Sequence, residues 1–428
     1  MKEISYVVKA DFPIYGGYAI GRADGKVIHI KGAIPGETVE VRILKEKRDY
    51  SIASVVRALE ISADRMQPEC RYFGYCGGCH LQYIASERQI ALKEQVLSDC
   101  LKRIAKIDIA LSKPITGDMW NYRHRGQFKV SCAEDGIRIG FYREKTRDVV
   151  NVEYCPLMAE GINKLLFSIR ELLKKSERDF ACAGITEIHI SLGDCAASLI
   201  KASADRAFAN MDKIASMFMD AGFSGVIINS SKRLIKYGRP YITLDLENIK
   251  YTVSPLSFFQ SNWTLNLSVV KLIRDNLQPL KGKRMLDLYA GAGNFSLPFA
   301  SEDAEVIAVE ENPYAIEDGK RNLKINRIKN CRFIRSSAGA LNASFNISKP
   351  FDILILDPPR PGLDNNVFAK IFKMLPENIV YISCNPATLS RDLKKLSVKY
   401  RIDSVRMIDF FPQTYHIESI AFLKLRRF

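Results

Sequence analysis

A chain of 428 residues exceeds one ordinary domain and has room for two or three cores. Hydrophobic residues at 47% against 26% charged exclude a disordered or fibrous chain, and 63 Lys plus Arg against 48 Asp plus Glu give a net charge of +15, which favours a polyanionic partner over a small neutral substrate. Met1-Lys2-Glu3-Ile4 lacks the layout of a secretory leader and no apolar run is long enough to span a bilayer, so a cytoplasmic protein with no membrane partner is expected, whose ten cysteines form no disulfide framework and in which a tight cluster of them reads as metal or catalytic chemistry.

Residues 1–62 alternate short apolar stretches, such as Val27-Ile28-His29-Ile30, with turns at Gly16-Gly17, Asp24-Gly25 and Pro35-Gly36. That spacing predicts a small, OB-fold-like β-barrel, and the cations and aromatic of Lys45-Glu46-Lys47-Arg48-Asp49-Tyr50 would let it grip a nucleic-acid backbone. Residues 63–250 form a central α+β region that opens on a cysteine-rich loop. Within it, apolar residues from about Ser86 to Ile104 recur at helical spacing, and this helix is expected to pack on the domain that follows. Further on, Trp120-Asn121-Tyr122-Arg123-His124-Arg125 interleaves aromatics with cations; it suits stacking on unpaired bases, or equally a strand with a solvated basic face.

The loop cysteines Cys70, Cys76 and Cys79 stand in a Cys-x5-Cys-x2-Cys spacing, and Gly77-Gly78 lets the backbone curl around a metal centre. Cys155, followed by Pro156, supplies a distant fourth ligand. Four thiolates can hold zinc or a [4Fe–4S] cluster, and one short triplet plus a remote Cys-Pro is closer to ferredoxin-type ligation than to paired zinc knuckles.

Residues 251–428 change to strand, Gly-rich turn and helix in repetition, with apolar runs at Arg284–Leu288, Ala304–Val309, Asp352–Leu356 and Ile379–Ile382. This is the pattern of a doubly wound, Rossmann-like α/β sheet. The turn Tyr289-Ala290-Gly291-Ala292-Gly293-Asn294 carries glycines beneath a ligand site, yet Ser296 stands where a dinucleotide fingerprint would want its third glycine. The next strand ends on Glu310, which can accept hydrogen bonds from both ribose hydroxyls of an adenosine. Both features fit S-adenosylmethionine better than NAD. Asp357-Pro358-Pro359-Arg360 then makes a rigid turn on the ligand side of the sheet; an amino-methylating enzyme would want an aromatic platform where Arg360 stands.

Strand Ile379–Ile382 delivers Ser383-Cys384-Asn385-Pro386, a thiol in a loop just ahead of a helix, where the helix N-terminus is expected to lower its pKa. A nucleophile at the mouth of a methyl-donor site suits carbon 5 of uracil, which becomes reactive when a thiolate adds to carbon 6. The carbon 5 proton must then leave, and Glu418 is the candidate base.

With these residues in view, Ser383-Cys384-Asn385-Pro386, Asp357-Pro358-Pro359-Arg360-Pro361-Gly362, Phe258-Phe259-Gln260-Ser261-Asn262 and His416-Ile417-Glu418 resemble the RNA 5-methyluridine methyltransferase family over nearly the whole chain. The resemblance implies Cys384 as nucleophile, Glu418 as proton acceptor, and cofactor contacts from Gln260, Tyr289, Asn294, Glu310 and Asp357. Where many members carry an acid or amide that contacts the adenine, this chain has Ser336-Ser337. The barrel, read as a TRAM domain, and the four-cysteine pattern are similar to the 23S rRNA branch, which implies a structural or RNA-orienting [4Fe–4S] cluster and a monomeric enzyme acting on 23S rRNA. A transfer-RNA enzyme, or a ribosome-assembly factor with an incidental methyl-transfer site, is the alternative.

Overall fold

Along the strands that follow residue 284, successive apolar side chains point to opposite faces: Met285, Val306, Ile353, Ile355 and Val380 enter one core, and Leu286, Ile307, Leu354, Ile379 and Tyr381 enter the other. A sheet buried on both faces follows. The structure, a computed structural model, describes residues 5–133, 136–202, 211–230, 233–340 and 350–426, with the side chains of 181–182 left aside. Met1–Ile4, read above for a leader, lie outside the described residues.

This sheet has eight strands in the order Cys331–Arg335, Glu305–Glu310, Arg284–Leu288, Ile353–Leu356, Asn378–Ser383, Glu418–Leu425, Tyr400–Ile408 and Ser112–Ile115. The first five run parallel to one another, and Glu418–Leu425 runs antiparallel to both of its neighbours. The strand order reverses beside Arg284–Leu288, and an open α/β sheet has its ligand crevice at that reversal, outside the carboxyl ends of the strands.

The helix expected from Ser86 runs over Ser86–Cys100 and continues as a π-helical turn, Leu101–Ala105. Its Val96, Leu97 and Leu101 share a core with Leu389 and Leu393 of helix Pro386–Leu396, so it packs on the doubly wound sheet. Strand Ser112–Ile115 joins the edge of that sheet.

A seven-stranded sheet occupies the middle of the chain, with helices Glu160–Lys175 and Met211–Asp220 packing Ile162, Leu166, Ile214 and Phe218 against it. The N-terminal six-stranded sheet curls around Val8, Ile28, Ile30, Val39 and Val41. Its tip carries Lys45, Lys47 and Arg48 exposed, and beside them Tyr50 stacks on His29 with ring centroids 4.3 Å apart.

Segment Trp120–Arg125 departs from both readings of its sequence. Tyr122 is buried and donates its hydroxyl to the Pro412 carbonyl at 3.1 Å; the Arg125 guanidinium donates to the Ser257 and Pro255 carbonyls and lies over Phe259; Arg123 lies over Phe411. Burial lowers Arg125 to about 10. These side chains tie the central sheet to the doubly wound one, and sequence could not say so because their carbonyl partners lie more than a hundred residues away.

Candidate active site

The Gly-rich turn is shaped by backbone conformation. Tyr289, Gly291 and Gly293 all have positive φ, and a Cβ on Gly293 would stand 2.9 Å from Leu297 and 3.0 Å from Phe333. Glu310 fixes the turn by accepting from Gly291 N at 2.9 Å, while its other oxygen accepts from Glu311 N and Asn312 N at 2.9 and 2.8 Å. Oε1 is thereby fully engaged, while Oε2 keeps a second lone-pair direction, so these bonds orient Glu310 without exhausting it. Asn294 exchanges amide hydrogen bonds of 2.9 and 2.7 Å with Asn266 on helix Trp263–Leu277, a partner the sequence reading missed. Asn262 caps that helix by accepting from Leu265 N, which fixes the end of the Phe258–Asn262 segment and its buried Gln260.

Asp287 was also missed, although a lone acid within the apolar run Met285–Leu288 was a signal. It is fully buried, accepts from Ser296 Oγ at 2.6 Å, and its Oδ1 has no hydrogen-bond partner among the described residues. Burial pushes its carboxyl up to about 7, with Asp357 and Glu310 adding to the rise. Ser296 therefore serves Asp287, which accounts for the absent third glycine. Ser337, for its part, accepts from Ala340 N at 3.2 Å within the turn Ala338–Ala340.

At the other side of the crevice, strands Asn378–Ser383 and Glu418–Leu425 pair in register from Asn378 opposite Lys424 to Ser383 opposite Ser419. Cys384 follows Ser383 and Glu418 precedes Ser419, so both stand at the same end of this ladder, and Glu418 acts on the Cys384 thiol. Asp357 comes directly after the neighbouring strand Ile353–Leu356 and Arg360 follows it; Arg360 Nη2 stands 3.4 Å from His416 Nδ1. Burial pushes the Asp357 carboxyl up to about 7. Burial, reinforced by Asp357 and opposed by Arg360, raises Glu418 well above the usual carboxylate range.

The expectation of a lowered Cys384 pKa is corrected. Burial pushes this half-buried thiol up to about 11, Glu418 and Asp357 add to the rise, and Arg360 opposes it. The helix N-terminus gives little help because Asn385 is its cap: the Asn385 side chain accepts from Ala387 N at 3.0 Å and Thr388 N at 3.4 Å. The barrel reaches this site too. Tyr15 meets Tyr415 edge-on with ring centroids 5.7 Å apart, and Arg360, Cys384 and Glu418 all influence its hydroxyl. Their separation in sequence, about four hundred residues, hid this neighbour.

Cys70, Cys76, Cys79 and Cys155 line one pocket together with Gln82, Arg123 and Met158. Gly78 N donates to Cys76 Sγ at 3.4 Å, and backbone amides of Leu157 and Met158 stabilise the Cys155 thiolate. Burial pushes Cys76 up to about 11 and Cys79 up to about 12, with the other cysteines of the group adding to both. Among the described residues no set of three or more His, Cys, Asp or Glu side chains is drawn together tightly enough to hold a metal ion as they stand. The donor type, the shared pocket and the amides aimed at sulfur nonetheless fit a thiolate-ligated group.

The family model for tRNA (uracil-5-)-methyltransferase matches residues 85–426. The chain belongs to this family. A TRAM domain model matches residues 13–56, within the N-terminal barrel. The enzyme is similar to an uncharacterized RNA methyltransferase of Aquifex aeolicus, with 36% identity over the full length of both. It is 32% identical to the 23S rRNA (uracil(1939)-C(5))-methyltransferase RlmD of Shewanella amazonensis, covering 96% of this chain and 93% of that one. The corresponding protein of Nitrosospira multiformis is also 32% identical, with 96% and 97% covered. The solved structure of Pyrococcus abyssi tRNA (uracil-54, C5)-methyltransferase in complex with S-adenosyl-L-homocysteine shares the fold, with a TM-score of 0.75 at 23% identity over 98% of this chain and 100% of that one. This methyltransferase is thus an S-adenosylmethionine-dependent enzyme of RNA uracil carbon 5. Among its described residues, no helix is long and apolar enough to cross a membrane.

Proposed function

We propose that the enzyme methylates a uridine of 23S rRNA in the cytoplasm, as a monomer, with Cys384 as nucleophile and Glu418 as proton acceptor. Support comes from the two residues flanking the last pair of one antiparallel ladder, Ser383 opposite Ser419, and from the influence of Glu418 on the Cys384 thiol. Cys384 gives up its proton to solvent and its sulfur bonds to carbon 6 of the uracil, so that the pair of the 5,6 double bond becomes available at carbon 5. S-adenosylmethionine, when bound, supplies an electrophilic methyl group. Glu418 then takes the carbon 5 proton, the double bond re-forms, and the Cys384 thiolate leaves. A carboxylate raised by burial is a stronger base than an exposed one, which suits Glu418 to that step. Arg360 favours the thiolate of Cys384 against the two carboxylates.

Gln260, Tyr289, Asn294, Glu310 and Asp357 would hold the cofactor, with Glu310 oriented toward the ribose by the turn amides it binds. Cys70, Cys76, Cys79 and Cys155 would hold a [4Fe–4S] cluster that organises the central region and its RNA face; four thiolates leave no iron site open, which argues for a structural role. The RlmD relatives support ribosomal RNA as substrate. The family model and the Pyrococcus structure carry the names of transfer-RNA enzymes, so transfer RNA is the second reading.

RNA bearing 5-fluorouridine cannot release the group at carbon 5. The native protein is expected to form a denaturation-resistant adduct with it, and Cys384→Ala none. Absence of an adduct on every cellular RNA tried would sink the assignment. Mapping 5-methyluridine in total RNA with and without the gene decides between ribosomal and transfer RNA.

A further inference from the structure

Glu418 is the first residue of its strand, and the segment Asp409–Ile417 that delivers it contains no helix or strand. Its course is set by groups outside the doubly wound sequence. Lys93 Nζ donates to Asp409 Oδ1 at 2.7 Å and to the Phe411 carbonyl at 3.1 Å. The Gln89 amide accepts from Gln413 N at 3.1 Å and donates to Gln413 Oε1 at 3.0 Å. The amides of His80 and Leu81, directly after Cys79, both donate to the Gln413 carbonyl, at 2.9 and 3.0 Å. Gln413 itself has φ +66, a backbone conformation that residues with a Cβ seldom adopt unless the surroundings impose it.

Gln89 and Lys93 are the two polar members of the buried stripe Gln89, Leu92, Lys93, Val96, Leu97 on helix Ser86–Cys100. A helix needs no such residues to dock. An apolar pair of similar volume would secure it as well as or better than a buried ion pair, whose gain is largely offset by desolvation. What the ion pair and the amide pair add is fixed endpoints for this loop, and Gln89 ties it to the segment after Cys79 by donating also to the Leu81 and Ile84 carbonyls at 3.1 and 2.8 Å.

We infer that Gln89 and Lys93 are positioning residues for the second half of the reaction, holding Asp409–Ile417 so that Glu418 meets the carbon 5 proton of the methylated adduct. The inference rests on the reading of Cys384 and Glu418 given above. Cys384 sits on another strand end, with its own cap at Asn385, so loosening the clamp leaves addition and methyl transfer in place and slows proton removal. A displacement on the order of 1 Å can cost about 100-fold in such a step.

Single-turnover reactions on RNA with ordinary uridine test this in the metal-loaded full chain. Gln89→Leu and the double change Lys93→Met with Asp409→Leu, which removes both charges together and orphans neither, are compared with Glu418→Gln. Methyl transferred, denaturation-resistant protein–RNA adduct and thermal midpoint are read in each. The clamp variants are expected to transfer methyl within about threefold of native and to accumulate at least about tenfold more adduct. If Glu418→Gln accumulates adduct while both clamp variants turn over without it, the positioning role is wrong and Glu418 stands. The same conclusion holds if the clamp variants lose methyl transfer and adduct together in proportion to a fallen midpoint. If Glu418→Gln gives no adduct, the assignment of the base fails and this inference falls with it.

Discussion

Two groups of cysteines in this protein are both raised by burial and differ in their neighbours, a difference that fits the two chemistries proposed for them. Cys384 faces Glu418, Asp357 and Arg360, a setting of charges that changes as protons and substrate come and go. Cys76, Cys79 and Cys155 face one another, Cys70, backbone amides and the Gln82 side chain, with the Arg123 guanidinium, held over Phe411, favouring the Cys155 thiolate. Burial raises the thiols at both, so neither is a free thiolate in the empty protein. A sulfur that must form and then break a bond to carbon needs an adjustable field. Sulfurs that hold a permanent cation are well served by fixed dipoles and by each other, since the metal itself supplies the charge that deprotonates them.

The sharpest way to break this contrast is to remove one sulfur from each site. Cys384→Ala is expected to lower single-turnover methyl transfer by at least about a thousandfold while leaving the thermal midpoint nearly unchanged. Cys76→Ser should do the reverse: loss of metal by direct analysis and a midpoint lower by about 5 °C or more, with single-turnover methyl transfer retained by the protein that stays folded. If Cys70→Ser abolished turnover while folding and RNA affinity stayed intact, the cluster would belong to the chemistry.

A subtler effect concerns the carboxylates on the Cys384 side. Asp287 and Asp357 are each raised to about 7 in the folded, ligand-free protein from an ordinary 3.8, so the folded state binds more protons than the unfolded one between those values. Their contribution to stability is therefore full below about pH 4 and lost as pH rises through about 7. These two carboxyls pull the midpoint of the ligand-free protein down across that window, against the histidines His29, His80, His124, His189 and His416, whose burial favours the folded state as pH rises through 6.5. Asp287→Asn, which keeps an acceptor for Ser296, should flatten part of the fall, as thermal melts from pH 5 to 8 would reveal. Smallest of all, Lys47→Ala or Arg48→Ala on the exposed barrel tip should reduce the salt dependence of RNA binding by about one unit of log–log slope each, with the methyl-transfer rate at saturating RNA unchanged.

Much of the fold was legible because it rests on local signals. Glycines at positive φ mark the barrel turns and the ligand loop, and alternating apolar runs mark the parallel strands. The chemistry-bearing residues were legible where a motif isolates them, as Pro386 isolates Cys384 and the Gly-rich turn leads to Glu310. The Trp120–Arg125 segment misled because an Arg in sequence reads as a surface cation, whereas Arg125 finds two carbonyls to donate to inside the molecule. The thiol pKa misled for a similar reason: the sequence displays a helix start after Cys384 but not that Asn385 takes up its amides, nor that two carboxylates stand nearby.

What the sequence determined by itself is the set of parts: a basic barrel, a cysteine loop, a doubly wound sheet, and a thiol and an acid on loops at its ligand side. Those follow from periodicity, turn chemistry and residue type, which act over a few residues at a time. Which parts meet was decided by tertiary structure. Tyr15 of the barrel at the Cys384 site, Asn266 behind Asn294, and Gln89 and Lys93 beneath the loop that carries Glu418 are contacts over long stretches of chain. They are fixed by the collective burial of two cores and by the need of each buried polar group for a partner, and neither is written in any local window.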